Sequence, residues 1–102
     1  MVEAVKDNRA EGRYELQTSG GVAFIDYRRD GNVVTMLHAE VPAAVRAGGV
    51  GSRLVRGALD LVRGEGGKVI PRCPFVAAYI GKHPDAQDLL AEPRPLNRTG
   101  AR

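Results

Sequence analysis

The sequence is poor in cysteine and in aromatic side chains. It contains one cysteine, Cys73, no tryptophan, and 5% aromatic residues among 102 positions. A single cysteine excludes a disulfide within the chain and argues against a cysteine-based zinc site. The two histidines, His38 and His83, are far apart in the sequence and lack the spacing of metal ligands. We therefore predict no metal site.

Long hydrophobic runs are also absent. No segment approaches the ~20 consecutive apolar residues that a membrane-spanning helix needs, and the N-terminal segment lacks the apolar stretch of a signal peptide. We therefore expect a cytoplasmic protein without a membrane partner. Hydrophobic residues still make up 43% of the chain, which is enough for one folded domain. We predict that this domain spans residues 1–91 and that residues 92–102 form a flexible tail.

The excess of positive charge is small. The formal net charge is +3, and part of it lies near the C-terminus, at Arg94, Arg98 and Arg102. A nucleic-acid-binding domain usually gathers basic residues on one element and interleaves them with aromatic residues. That pattern is missing here, so we expect no nucleic-acid partner. A polyanionic small molecule fits this charge equally well.

Three strands are predicted in the first half of the chain. Residues 13–18 alternate weakly, residues 22–28 alternate clearly between apolar and polar, and residues 33–41 are β-branched and nearly apolar on both faces. Asp30-Gly31 is typical of a hairpin turn. The third segment therefore reads as a central strand, which Pro42 ends.

The second half alternates helix and strand. Residues 52–64 have the periodicity of an amphipathic helix, residues 68–72 form a short strand, and Cys73-Pro74 begins a second helix, with one further turn at 85–91. The element order β-β-β-α-β-α predicts an α+β fold with a mixed, mostly antiparallel sheet.

The strongest functional signal lies between the third strand and the first helix. Residues 46–52 are rich in glycine, and glycine lets an anionic ligand approach the backbone closely. The unpaired N–H groups at a helix start favour negative charge there. The alternative is a plain flexible connection. The strand-loop-helix setting favours a phosphate-binding loop.

The pattern Arg46-x-x-Gly49-x-Gly51, in this setting, resembles the acetyl-CoA pyrophosphate signature of the GNAT N-acetyltransferase superfamily. Residues 37–42 and 69–76, with Tyr79 and His83-Pro84, resemble the short, single-domain branch of that superfamily. The resemblance covers residues 24–90. The chain lacks the helices that full-length members carry between their first two strands and the strands that follow their second helix, and these parts normally shape the acceptor site.

The resemblance implies a truncated GNAT-like fold with splayed central strands and acetyl-CoA as co-substrate. The backbone of residues 38–41 would pair with pantetheine in the gap between the strands, and Pro71 would lie at the other edge, where a residue without an N–H wastes no donor. Pro71 could also simply end a strand. The implied cofactor-binding residues are Val41, Arg46, Ala47, Gly48, Gly49, Val50, Gly51, Ser52 and Pro71.

Four residues are candidates for catalysis. His38 and Glu40 share one face of a strand, and either can act as a general base; the alternative is that Glu40 pairs with an arginine at the strand end. Cys73 would cap the second helix, whose dipole favours a thiolate, or it is a small buried residue. Tyr79 matches the tyrosine that protonates the leaving CoA thiolate in many GNAT enzymes, or it is a core residue.

These residues predict an N-acetyltransferase that transfers acetyl from acetyl-CoA to a primary amine. Transfer is either direct, in a ternary complex, or passes first through Cys73. The alternative is an acyl-CoA-binding sensor or interaction module with little turnover, consistent with the truncated acceptor site.

Overall fold

A computed structural model of the protein describes residues 4–91 and shows a five-stranded sheet with helices packed on it. The strands lie in the order β1-β2-β3-β4-β5; the first four are antiparallel, and β4 and β5 are parallel. The predicted α+β fold with a mixed, mostly antiparallel sheet is confirmed. The strands are β1 Lys6–Asn8, β2 Arg13–Thr18, β3 Gly21–Asp30, β4 Val33–Glu40 and β5 Lys68–Pro71.

The strand β1 was not predicted from the sequence. It is three residues long, its composition is Lys-Asp-Asn, and it pairs only with β2 at the edge of the sheet. The hairpin between β3 and β4 was predicted. Asp30 pairs with Val33, and Gly31 has a φ of 62°, a left-handed value that favours glycine.

Two α-helices and two 3-10 helices connect and follow the strands. α1 is Val50–Gly64, α2 is Pro74–Lys82, and the 3-10 helices are Ala43–Gly48 and Pro84–Leu89. The second 3-10 helix corresponds to the turn predicted at 85–91. The first 3-10 helix lies where the sequence predicted only a glycine-rich connection. No helix among residues 4–91 is long and apolar enough to cross a membrane.

The hydrophobic core lies between one face of the sheet and the two α-helices. Alternate residues of β2 and β3 are buried on that face, and one side of α1 covers them. Phe24 and Asp26 alternate with these buried positions and point to the opposite face, and their partners in β4, Glu40 and His38, lie on that face with them. The fully buried large side chains are Tyr14, Ile25, Met36, Leu54, Val34, Val55, Val62, Val69 and Val76.

The proposed boundary between residues 91 and 92 stays a prediction, because the tail lies outside the described residues.

Tyr14 is the largest fully buried side chain, and its hydroxyl lies among charged neighbours at one end of the sheet. Arg29 donates to the Tyr14 hydroxyl at 3.4 Å, and the Tyr27 ring lies 4.6 Å from the Tyr14 ring. Burial, and then the negative charge of Asp7, raises the pKa of Tyr14 well above its ordinary value. The neutral phenol is therefore strongly favoured in the folded protein.

This shift predicts loss of stability at alkaline pH. Because the unfolded chain ionises Tyr14 at an ordinary pKa and the folded chain does not, the stabilisation is complete below the unfolded pKa and is lost as pH rises through the folded pKa. We expect Tyr14→Phe to flatten the fall in urea midpoint between about pH 9 and pH 11, with a change of about 1 kcal/mol or less at neutral pH. An equally steep fall in the variant would assign the alkaline sensitivity to other groups.

Candidate functional site where β4 and β5 diverge

The parallel strands β4 and β5 separate after four residue pairs. Their register runs from Val33 opposite Lys68 to Met36 opposite Pro71. The Cys73 N–H then donates to the Met36 carbonyl at 2.9 Å, which closes the narrow end of the gap. β4 continues to Glu40, and among residues 4–91 this last part of the strand pairs only with β3. One edge of its last four residues is therefore free to pair with a ligand, and the predicted splay of the central strands is present.

A β-bulge in β4 accompanies this separation. Asp26 of β3 pairs with His38, whereas the next residue, Tyr27, pairs with Met36, so Leu37 has no partner in the register. A bulge bends its strand and increases the local twist. The bulge falls directly after the last β4–β5 pair, which gives a physical reason for the separation at that point.

The gap opens into a cleft at the end of the sheet. Its volume is about 290 Å³, and it is lined by Ala39, Glu40, Val41, Arg46 and Phe75. β4 contributes one wall, the 3-10 helix contributes Arg46, and the first turn of α2 contributes Phe75. The cleft has apolar walls with two charged residues at its rim, as small-molecule sites commonly do.

The N-terminus of α1 follows directly on the 3-10 helix. Gly49 has a φ of 75°, and a Cβ at this position would meet no atom within 4 Å, so glycine is needed for the backbone angle and not for space. The N–H groups of Val50, Gly51 and Ser52 donate to no group among the described residues; the first regular helical bond is from Arg53 N–H to the Gly49 carbonyl at 3.2 Å. No capping side chain or acidic residue occupies this helix start.

Two arginine side chains form hydrogen bonds at the two ends of the 3-10 helix Ala43–Gly48. The Arg46 guanidinium donates to the Val41 carbonyl at 3.2 Å, and the Arg53 guanidinium donates to the Gly48 carbonyl at 3.4 Å. Both contacts tie the 3-10 helix to its flanking segments. The positive charge of Arg53 therefore lies at the first turn of α1, where the helix dipole favours an anion, and that of Arg46 lies at the cleft.

His38 and Glu40 lie together on the open face of the sheet. Their side chains are 2.9 Å apart, from Nε2 to Oε2, and they are 56% and 62% exposed. Glu40 is exposed, and among the described residues its ion-pair partner is His38 and not the arginine that the alternative predicted. Glu40 also lines the cleft. The pair is thus accessible from solvent next to the gap.

Cys73 caps α2, as predicted, but its side chain faces the core. The residue is 4% exposed, and its side chain makes no capping hydrogen bond. It is not among the residues that line the cleft. Its backbone holds the narrow end of the gap, whereas a chemical role for its thiol stays a prediction.

Tyr79 lies apart from the other three candidates. Its ring stacks on His83 with 3.8 Å between centroids, and it lines a separate pocket of about 120 Å³ together with Arg56 and Arg63 of α1. The structure therefore does not place Tyr79 among the residues that line the cleft, and its proposed role as an acid stays a prediction. Within the described residues, no group of three or more potential ligands could hold a metal.

Two features of the site were missed in the sequence. The bulge at Leu37 leaves no signal in a single strand, because it is defined by the register with β3. Phe75 was not singled out from the sequence, and in the structure it is 46% exposed at the cleft. The available signal was a large apolar residue directly after the proline that begins α2.

Comparison with known proteins identifies the family. The sequence model of the GCN5-related N-acetyl-transferase family matches residues 13–89. The chain belongs to this family, and the prediction of an acyltransferase is confirmed at that level. The fold is similar to the NMR solution structure of a GCN5-like protein from Staphylococcus aureus, with a TM-score of 0.66, 24% sequence identity, and coverage of 88% of this chain and 89% of that chain.

Proposed function

We propose that the protein is an N-acetyltransferase that binds acetyl-CoA in the cleft between β4 and β5 and acetylates a primary amine. The observation that carries this proposal is a cleft with two unsatisfied backbone surfaces beside it. The first is the free edge of β4, whose Ala39 and Glu40 line the cleft. The second is the uncapped N-terminus of α1, where Gly51 lies against the cleft-lining Phe75. Acetyl transfer in general follows from the family; the co-substrate and the amine are our proposal.

The chain has backbone and side-chain groups that could bind each part of the cofactor. The N–H groups of Gly49, Val50, Gly51 and Ser52 would bind the pyrophosphate, with Arg46 beside them and with Ala47 and Gly48 shaping the approach. The β4 edge from His38 to Glu40, continued by the N–H of Val41, would bind the pantetheine amides, and Pro71 lies at the end of the opposing strand. When bound, acetyl-CoA supplies the acetyl thioester.

His38 and Glu40, which we call the open-face pair, would supply the general base. Glu40 or His38 would accept a proton from the amine, and the hydrogen bond between the two side chains, 2.9 Å long, would hold them in place. N–H groups on the free edge of β4 would stabilise the negative charge that develops on the carbonyl oxygen. Tyr79 or a water molecule would protonate the departing thiolate; the position of Tyr79 outside the cleft favours water.

Calorimetric titration tests the proposal. We expect acetyl-CoA and CoA to bind with about micromolar affinity, near −8 kcal/mol, and a screen of primary amines to reveal amine-dependent release of CoA. Absence of binding to the wild-type protein would refute the proposed function. Binding without turnover with any amine would favour the acyl-CoA-binding module. The burial of Cys73 and the separate position of Tyr79 are the observations that favour this second function.

A cytoplasmic location stays a prediction.

The two routes of transfer predict different behaviour of Cys73→Ala. In the covalent route, the thiol sulfur forms a bond to the acetyl carbon as the bond to the CoA sulfur breaks, and the amine then takes the acetyl group. Because Cys73 is buried, we expect direct transfer, with intersecting-line kinetics and kcat within about threefold of wild type in Cys73→Ala. Ping-pong kinetics, an acetylated Cys73 seen by mass spectrometry, and an inactive variant would establish the covalent route.

A further inference from the structure

Phe75 and Gly51 make an unusually close contact at the cleft. A Cβ on Gly51 would lie 2.7 Å from Cζ and 3.1 Å from Cε2 of the Phe75 ring. Real Cβ contacts are essentially never shorter than 3.0 Å, so any side chain at position 51 must displace the ring. Gly51 is a buried residue in the first turn of α1, and its φ is not in the left-handed region. Its lack of a side chain is therefore needed for space, in contrast to Gly49.

The ring touches Gly51 on one side and faces the cleft on the other. Phe75 is 46% exposed even though most large apolar residues of the described chain are buried, and it lines the cleft opposite Ala39 and Val41 of β4. These residues line an apolar channel between the β4 edge and the start of α2. A ligand lying along β4 would cover the exposed ring.

We infer that the Phe75 ring forms the outer wall of the pantetheine channel and that Gly51 positions this wall. The inference rests on the proposed function. In this arrangement Gly51 has two roles: its N–H lies in the phosphate-binding turn, and its missing side chain lets the ring withdraw from the channel. A methyl group at position 51 pushes the ring toward β4 and narrows the channel.

The inference predicts selective effects on the pantetheine arm. We expect Phe75→Ala and Gly51→Ala each to weaken CoA binding by roughly tenfold, equivalent to about 1.4 kcal/mol. Binding of 3′-phosphoadenosine 5′-diphosphate, which carries the pyrophosphate but no pantetheine, should stay within about twofold of wild type. Calorimetry with both ligands distinguishes an effect on the channel wall from an effect on the phosphate-binding turn.

Rescue by a second substitution tests whether Gly51 acts through the ring. Leucine is shorter than phenylalanine and leaves room for a methyl group at position 51. We expect Gly51→Ala/Phe75→Leu to bind CoA within about threefold of Phe75→Leu alone, so that the two changes are strongly non-additive. Additive losses would show that Gly51 acts independently of Phe75.

Gly57→Ala is the matched control for helix stability. Gly57 is in the same helix, and a Cβ there would collide with Val5, away from the cleft. We expect this variant to lower the thermal midpoint while leaving CoA affinity unchanged. Wild-type affinity for CoA in Gly51→Ala or Phe75→Ala, or an equal loss for both ligands, would overturn the inference. Absence of CoA binding in wild type would instead refute the proposed function itself.

Discussion

Replacing Gly49 with glutamate should weaken acetyl-CoA binding by at least about 100-fold, or about 2.7 kcal/mol. Gly49 has a φ of 75° at the start of α1, and a residue with a side chain is strained in this left-handed region. Relief of that strain would reorient the N–H groups of the first helical turn. The added carboxylate would also repel the pyrophosphate at the place where the helix dipole favours an anion. Calorimetric titration of acetyl-CoA measures the loss.

Gly31→Glu is the control for this substitution. Gly31 has a similar φ of 62°, and a Cβ there would also meet nothing within 4 Å. It lies in the β3–β4 hairpin, at the opposite end of β4 from the cleft. Both variants should lose similar stability, and only Gly49→Glu should lose affinity. Equal affinities of the two variants for acetyl-CoA would mean that the α1 N-terminus does not bind the cofactor.

Removing both members of the open-face pair should lower kcat by about 100-fold, the lower range for the loss of general-base catalysis. In His38→Gln/Glu40→Gln, neither side chain can accept the proton from the amine. Both side chains are more than half exposed, so the substitutions bury no unpaired group and should leave the fold intact. Acetyl-CoA affinity should change little, because the β4 backbone and the α1 N-terminus are retained.

The single variants and a distant carboxylate complete this experiment. Because His38 and Glu40 are in contact, their effects on kcat should be non-additive. Glu15→Gln removes a carboxylate from β2, where it pairs with Arg13, and should leave kcat unchanged. A double variant with wild-type kcat would place the base elsewhere or leave the amine to lose its proton to water.

The elements that could be predicted from the sequence are those whose sequence pattern lies within one segment. The alternation in β3, the glycine at the β3–β4 turn, and the periodicity of α1 each reside in a single segment, and the corresponding elements were predicted. β1 was missed because three polar residues gain strand geometry only by pairing with β2. The 3-10 helix Ala43–Gly48 was missed because none of its residues is buried, which leaves no apolar periodicity to detect.

The parts of the candidate site that are formed by the backbone could be predicted from the sequence. The parts that are formed by packing between separate segments could not. The glycine motif identified the helix start, because its chemistry follows from backbone angles and unpaired N–H groups. The contact between Phe75 and Gly51 joins two helices, and neither segment alone reveals it. The expected gathering of Cys73 and Tyr79 at the cleft also depended on packing. The structure places one in the core and the other in a different pocket.

The most direct test of the account is the change in backbone amide signals when acetyl-CoA is added to the ¹⁵N-labelled protein, whose 10.9 kDa mass suits this measurement. The account predicts the largest shifts at Gly49 to Ser52, along the free edge of β4 from Leu37 to Glu40, and at Val41 directly after it. Signals from β1 and from the β3–β4 hairpin should change little. Large shifts confined to those distant segments, or no shifts at saturating acetyl-CoA, would contradict a cofactor site at the divergence of β4 and β5.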